Sequence, residues 1–304
     1  MGAAMETIEG LRARIGTAES LQSVVSTMKT LAAVSIQQLE GVVRSIDEYN
    51  RTVELGLHVA LRNRPEGVAL IEPTLSDALG VVILGSDQGM CGQFNEDVVS
   101  HAVDDMLQVG VEGSERAILA VGARTTTQIE ARGMSVDDYL GTPASAGAIA
   151  PVVEQIALQI QRWRSERGFD RIFIYYNQRV STGRYSPTTH RLLPIDQAWL
   201  ERIAGRQWPT KILPQIQMNW RELLSELLQQ HILVVLYRAA VHSMMSEHTA
   251  RMQSMQAAEQ NIDERLEELR SNFRQTRQTA ITAELLDIVS GFETLTADNR
   301  PTSD

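Results

Sequence analysis

The residues in this chain that come nearest to chemistry stand together in Gly85-Ser-Asp-Gln-Gly-Met-Cys-Gly92. Glycines between a strand and a helix can lay backbone N–H groups around a phosphate, with the helix N-terminus adding partial positive charge. The spacing completes neither of the usual patterns. No Gly-Lys-Ser/Thr follows, so this is not a P-loop, and Gly85, Gly89 and Gly92 miss Gly-x-Gly-x-x-Gly. Asp87 and Cys91 have no histidine close by to form a nucleophile pair. His58, His101, His190, His231, His242 and His248 are scattered, and Met244-Met-Ser-Glu-His248 lacks the His-Glu-x-x-His of a zinc helix. The loop therefore reads as a tight turn where other backbone must come close. No catalytic residue, cofactor or metal is expected.

The elements that position this loop alternate between strand and helix. Val81–Leu84 is a short apolar run before the loop, and Asn95–Val109 a helix after it. Ala117–Val121 and Arg171–Tyr176 are further buried strands, with helices around Thr125–Arg132 and Ile149–Arg167. Thr188–Pro194 adds a candidate strand. Such alternation from about Leu75 to Leu213 implies a small, Rossmann-like, mainly parallel sheet with helices on its faces.

On either side the period changes. Gln215 to Ser290 contains neither Pro nor Gly, with Pro214 before it and Gly291 after it as start and stop signals. As one helix it would extend roughly 115 Å, too far for a small core to bury. Val241, Met245, His248, Met252, Met255, Glu259, Ile262, Leu266, Leu269, Phe273, Thr276, Ala280 and Ala283 alternate by four and three, the seam of a left-handed coiled coil. His248 and Glu259 interrupt it and read as register-setting residues; Met244, Met245, Met252 and Met255 read as packing. Met5 to about Arg62 carries a second heptad, from Ile8, Leu11 and Ile15 through Leu57 and Ala60. It persists across Gly10, Gly16, Gly41 and Gly56. Two such helices at opposite ends of one chain imply an antiparallel coiled coil, with the longer C-terminal helix projecting unpaired. The expected divisions are 1–64, 65–214, 215–296 and a tail, 297–304.

The 304 residues are 43% apolar, enough for a proper core, and carry a net charge of −10. With no basic tract, nucleic acid is not expected as a partner. All but two of the 28 basic residues, Lys29 and Lys211, are arginine. One cysteine excludes an internal disulfide and suits a reducing compartment. No apolar run is long enough to span a bilayer, and the acidic N-terminus lacks a signal or transit pattern, so no membrane insertion is expected.

Several stretches resemble one family. Ser86-Asp-Gln-Gly-Met-Cys-Gly-Gln-Phe-Asn95, Ser246-Glu-His-Thr-Ala-Arg-Met-Gln-Ser-Met-Gln-Ala-Ala258 and above all Arg277-Gln-Thr-Ala-Ile-Thr-Ala-Glu-Leu-Leu-Asp-Ile-Val-Ser-Gly291 are similar to the γ subunit of F-type ATP synthases. Thr27–Ala33 and Arg171–Asn177 are weaker matches, and the order holds from end to end. The resemblance implies a non-catalytic central shaft. Its coiled coil would stand inside the hexamer of α and β subunits, and its α/β domain against the ε subunit and the membrane c-ring. Ion flow would turn ring and shaft, driving ATP synthesis, or ATP hydrolysis would turn them backwards. By position, Arg277 and Gln278 would form a polar catch against the catalytic subunits, and Met28 would meet the β lever. The loop bearing Asp87, Gly89, Cys91 and Gly92 would approach that lever lower down. Ile281, Leu285, Ile288, Val289 and Phe292 would make an apolar bearing.

Three positions depart from the family. Ser20–Ser26 lacks the usual lysines, leaving Lys29 as the basic contact, and Gln88 and Gln93 replace an arginine and a glycine, as an alternative branch of the family would allow. The absence of a cysteine pair implies a bacterial enzyme, peripheral on the cytoplasmic face of the plasma membrane. Two other classes fit the residues alone: a self-associating coiled-coil scaffold with a small α/β binding domain, and a nucleotide-binding enzyme built on the Gly-rich loop.

Overall fold

A computed structural model describes residues 7–65, 68, 78–109, 116–181, 183–209, 212 and 214–298, with the side chains of 291–298 outside that description. Along the chain come α1 (Ile8–Arg62), β1 (Leu79–Leu84), α2 (Phe94–Val109), β2 (Arg116–Val121), α3 (Ala123–Ala131) and β3 (Asp138–Leu140). They are followed by α4 (Ile149–Arg167), β4 (Arg171–Ser181), β5 (Arg184–Leu193), α5 (Gln197–Ala204) and α6 (Trp220–Asp298). The chain divides into two compact units, one of residues 1–29 and 255–304, the other of residues 30–254.

In the first unit the two helix ends run antiparallel. Glu19 pairs with Arg270 at 2.7 Å, Gln22 hydrogen-bonds Asp263, Lys29 pairs with Glu259, and the Arg12 guanidinium lies over the Phe273 ring. Leu11, Met255, Leu266 and Leu269 are buried in the seam. The interruption at Glu259 is thus an ion pair with another seam residue, Lys29. That fits a register role, since sliding either helix by one turn would leave both charges half-buried and unpaired. Beyond Ala280 every residue as far as Ser290 is exposed, as expected of an unpaired helix end.

The second unit is built on a five-stranded sheet of order β3-β2-β1-β4-β5, parallel except for β5, which is antiparallel to β4. β1 is buried at every position because helices cover both faces. One face packs on α2 and α3 through Val98, Ala102, Met106 and Ile129. The other packs on α4 and on α6, whose Leu236, Val241, Met244 and Met245 join Trp163 and Ile156 in a single core. These two methionines therefore fill the sheet core. A third cluster joins α1, α5 and the start of α6 through Leu57, Leu200, Ile203 and Leu224. Gly56 permits this approach, since a Cβ there would lie 2.8 Å from Leu227.

The expected elements are present, with shifted limits and two additions. α6 begins at Trp220 instead of just after Pro214, because Asn219 accepts from the Arg221 N–H at 2.9 Å and caps the first turn. It runs through Gly291 to Asp298, a lone glycine costing a helix only about 1 kcal/mol. β4 extends to Ser181, and the candidate strand at Thr188 begins at Arg184. β3 and α5 are additions. The tail beyond Asp298, Lys211 and the Phe292 side chain lie outside the described residues.

Candidate functional site

The Gly-rich loop leaves β1 at the C-terminal edge of the sheet, beside the place where strand order reverses between β1 and β4. In doubly wound folds that crevice receives the ligand. Here it is filled by the chain's own side chains. Asn95 accepts from the Ser86 N–H at 2.9 Å and donates to Ser86 Oγ at 2.8 Å, while the Thr125 hydroxyl donates to Asn95 Oδ1 at 3.3 Å. From β4, Asn177 donates to the Phe94 carbonyl at 2.7 Å, and Ser246 of α6 donates to the Asn177 carbonyl at 2.9 Å. All of these polar side chains are buried.

Two glycines are required by this closure. A Cβ on Gly85 would fall 1.7 Å from Thr125 Oγ1. Gly122 has φ 112°, and a Cβ there would sit 2.7 Å from the Ser86 backbone. The close-backbone reading of the loop is the one realised.

Asp87 carries the clearest electrostatic signal. Its Oδ1 accepts from the Ala123 N–H at 2.8 Å and from the Tyr139 hydroxyl at 3.1 Å. Its Oδ2 accepts from both the N–H and the hydroxyl of Thr142 at 2.8 Å. Burial alone would raise its pKa, but these donors more than compensate and hold it below the ordinary value. The carboxylate thereby caps the N-terminus of α3, the helix after β2, where negative charge is favoured.

The other expected site residues fall in three places. Gly89 lies near the Arg124 guanidinium, 3.8 Å from where its Cβ would be, and Gly92 has φ 57° with Ser254 close by. Cys91 is buried against Phe94 and Ala250, and burial pushes its thiol pKa up. Met28 is half-buried on α1, and Lys29 is held in its pair with Glu259. Arg277, Gln278, Ile281, Leu285, Ile288 and Val289 all lie exposed on the last turns of α6. Leu286, which sequence reasoning left out, joins them at 63% exposure; its place in the same helical run was the available signal.

Among the described residues no group of histidine, cysteine, aspartate and glutamate is placed to hold a metal, and no helix is long and apolar enough to cross a membrane.

The fold and site define a class: a protein whose terminal helices wind into an antiparallel coiled coil and whose α/β unit has its ligand crevice closed by its own side chains. A family model described as ATP synthase matches residues 7–295. The chain belongs to the ATP synthase γ-subunit family. It is 27% identical to the ATP synthase gamma chain of Polynucleobacter asymbioticus over 295 residues, covering 94% of this chain and 99% of that relative. In fold it is similar to a chain of the Euglena gracilis mitochondrial ATP synthase OSCP/F1/c-ring structure in rotational state 3. There the TM-score is 0.62 at 17% identity, covering 98% of this chain and 97% of that one. It is also similar to a chain of the Tetrahymena thermophila mitochondrial ATP synthase central stalk/c-ring structure, with TM-score 0.54 at 18% identity, covering 77% of this chain and 99% of that one.

Proposed function

We propose that this chain is the central rotor shaft of a rotary F-type ATP synthase, coupling ion flow through a membrane ring to ATP synthesis or hydrolysis in an α/β hexamer. It is itself non-catalytic, the reacting groups belonging to the partner β subunits. Its partners are the α and β subunits, the ε subunit and the c-ring, and it sits peripherally on the cytoplasmic face of a bacterial plasma membrane. Residues 1–64 and 215–296 serve as the shaft, 65–214 as the α/β domain and 297–304 as a tail.

The observation that carries this reading is the end of α6. Ile281, Leu285, Leu286, Ile288 and Val289 are all large, apolar and exposed. A run of that size on one helix end needs a cover. An apolar sleeve suits a turning part because dispersion contacts are non-directional and impose no fixed hydrogen-bond register. Phe292 extends the same bearing in sequence. Arg277 and Gln278, exposed just before it, serve as the polar catch. Met28 presents the shaft to the β lever, whereas Lys29 acts by locking the seam through Glu259. The loop at Asp87, Gly89, Cys91 and Gly92 approaches the lever as a rigid bracket.

Co-expression with α and β subunits tests the proposal. The shaft reading expects one copy of this chain per α/β hexamer by native mass spectrometry. Self-association without capture of α and β would instead identify a stand-alone scaffold.

A further inference from the structure

Away from the loop and the shaft, a cavity of about 270 Å³ opens between α1, β5, α5 and α6 of the α/β unit. Three arginines line it from three elements: Arg191 on β5, Arg202 on α5 and Arg238 on α6. Two imidazoles, His190 and His231, line it as well. The facing acids are already committed. Glu54 of α1 accepts from Asn50 at 3.0 Å and pairs with Arg206, while Asp196 accepts from the Ala198 N–H at 3.0 Å as the cap of α5. Arg238 reaches Asp47 at 3.3 Å, but Arg191 and Arg202 form no ion pair among the described residues.

His231 adds a second observation. Its ring stacks on Trp199 with centroids 4.1 Å apart, which fixes its plane, and its buried Nδ1 has no hydrogen-bond partner among the described residues. A buried polar atom left unpaired costs about 1–3 kcal/mol, and this one belongs to a ring that lines the cavity. Burial first, then the neighbouring His190 and Arg238, against an opposing effect of Glu54, push the His231 pKa down to about 4. Burial, Arg238 and Arg191 lower that of His190. Burial thus disfavours the charged form of both rings, and the positive charge around the cavity adds to it.

We infer that this cavity binds a small phosphate-class oxyanion, held by the Arg191 and Arg202 guanidinium groups beside the His231 ring. Guanidinium forks match tetrahedral oxyanions by paired N–H donors. The volume, equal to the liquid share of about nine waters, admits such an ion with some of its hydration and is small for a whole nucleotide. The site does not depend on the shaft reading, because every group in it belongs to the α/β unit.

The test is calorimetric titration of the full chain near neutral pH with inorganic phosphate and, separately, with ADP, at ionic strength matched by sodium chloride. Saturable one-site binding is expected, together with an upward move of the His231 titration midpoint by NMR, since a bound anion favours the imidazolium. Arg191→Gln with Arg202→Gln should weaken binding at least about tenfold, as loss of a charge-assisted contact does. Both arginines are exposed, so the fold should survive, and circular dichroism checks it. Saturation by phosphate assigns a free ion; saturation by ADP alone assigns a nucleotide's phosphate, and both sustain the site. No saturation by either up to about 10 mM, or equal binding by the double variant with an unmoved His231 midpoint, overturns it.

Discussion

Replacing Asp87 by asparagine separates a bracket inside the fold from a contact reserved for a partner. The native carboxylate takes four hydrogen bonds, tying the loop after β1 to the start of α3 and to the segment after β3. Hydrogen bonds to a charged acceptor are each worth about 1.5–3 kcal/mol when shielded. Asp87 is only half-buried, water can replace part of what is lost, and the four bonds act as a unit. A net cost of about 2 kcal/mol is therefore expected. Asparagine cannot reproduce the set, because its amide nitrogen would face either the Ala123 or the Thr142 donor. For a unit of this size that corresponds to a fall in Tm of about 4–8 °C.

Urea melts followed by tryptophan fluorescence report on the right unit, since Trp163, Trp199, Trp208 and Trp220 all lie in it. The pH dependence supplies the sign. The native pKa is held below the ordinary 3.8, so the stabilisation is complete above that value and disappears as pH falls through the native one. The gap between wild type and Asp87→Asn should stay constant near neutral pH and close in acid. A difference below about 0.5 kcal/mol, the size of an ordinary surface change, would refute the bracket. So would a gap that remains open at the lowest pH.

Three further outcomes follow from the same geometry. Gly122→Ala places a Cβ 2.7 Å from the Ser86 backbone at φ 112°, and should destabilise the α/β unit by about 3 kcal/mol in the same melts. Glu259→Lys sets two like charges together in the seam and should cost about 1–2 kcal/mol, read as faster amide exchange around Lys29; the swap Lys29→Glu with Glu259→Lys should recover most of it. Ile288→Asp lies on an exposed turn, so the isolated chain should keep its stability within about 0.5 kcal/mol, whereas coupling of hydrolysis to rotation in the reconstituted complex should fail; unchanged coupling would dismiss the apolar bearing.

The seams were legible because they are long and strictly periodic. Every heptad position on α1 from Ile8 to Ala60 is at least half-buried, and on α6 the pattern fades only at Ala283, where pairing has ended. The buried strands around Val81, Ala117 and Arg171 were equally plain, each an apolar run between turns. What sequence concealed was short or non-local. β3 has three residues and α5 has eight, too few to display a period. The α6 start hid in the choice between Pro214 and Asn219, which side-chain capping decides. β5 carries Pro187, tolerable because β5 is an edge strand and the missing N–H interrupts no ladder on its outer side. The role of Asp87 was not legible at all, since its donors lie 36 to 55 residues further on.

That concealment explains why a glycine loop at a sheet switch point looks like a nucleotide site although its polar groups are paired with one another. The ingredients are a strand end, close-packed glycines and the nearby N-terminus of α3, the helix after β2. Each is used internally. Asp87 supplies the anion for α3, Asn95 and Ser86 satisfy one another, and Asn177 with Ser246 fastens β4 to α6. Such a network has value where a ligand site has none, because it joins sheet and helix through buried hydrogen bonds that are costly to break singly. A unit meant to carry torque through α6 gains from that stiffness.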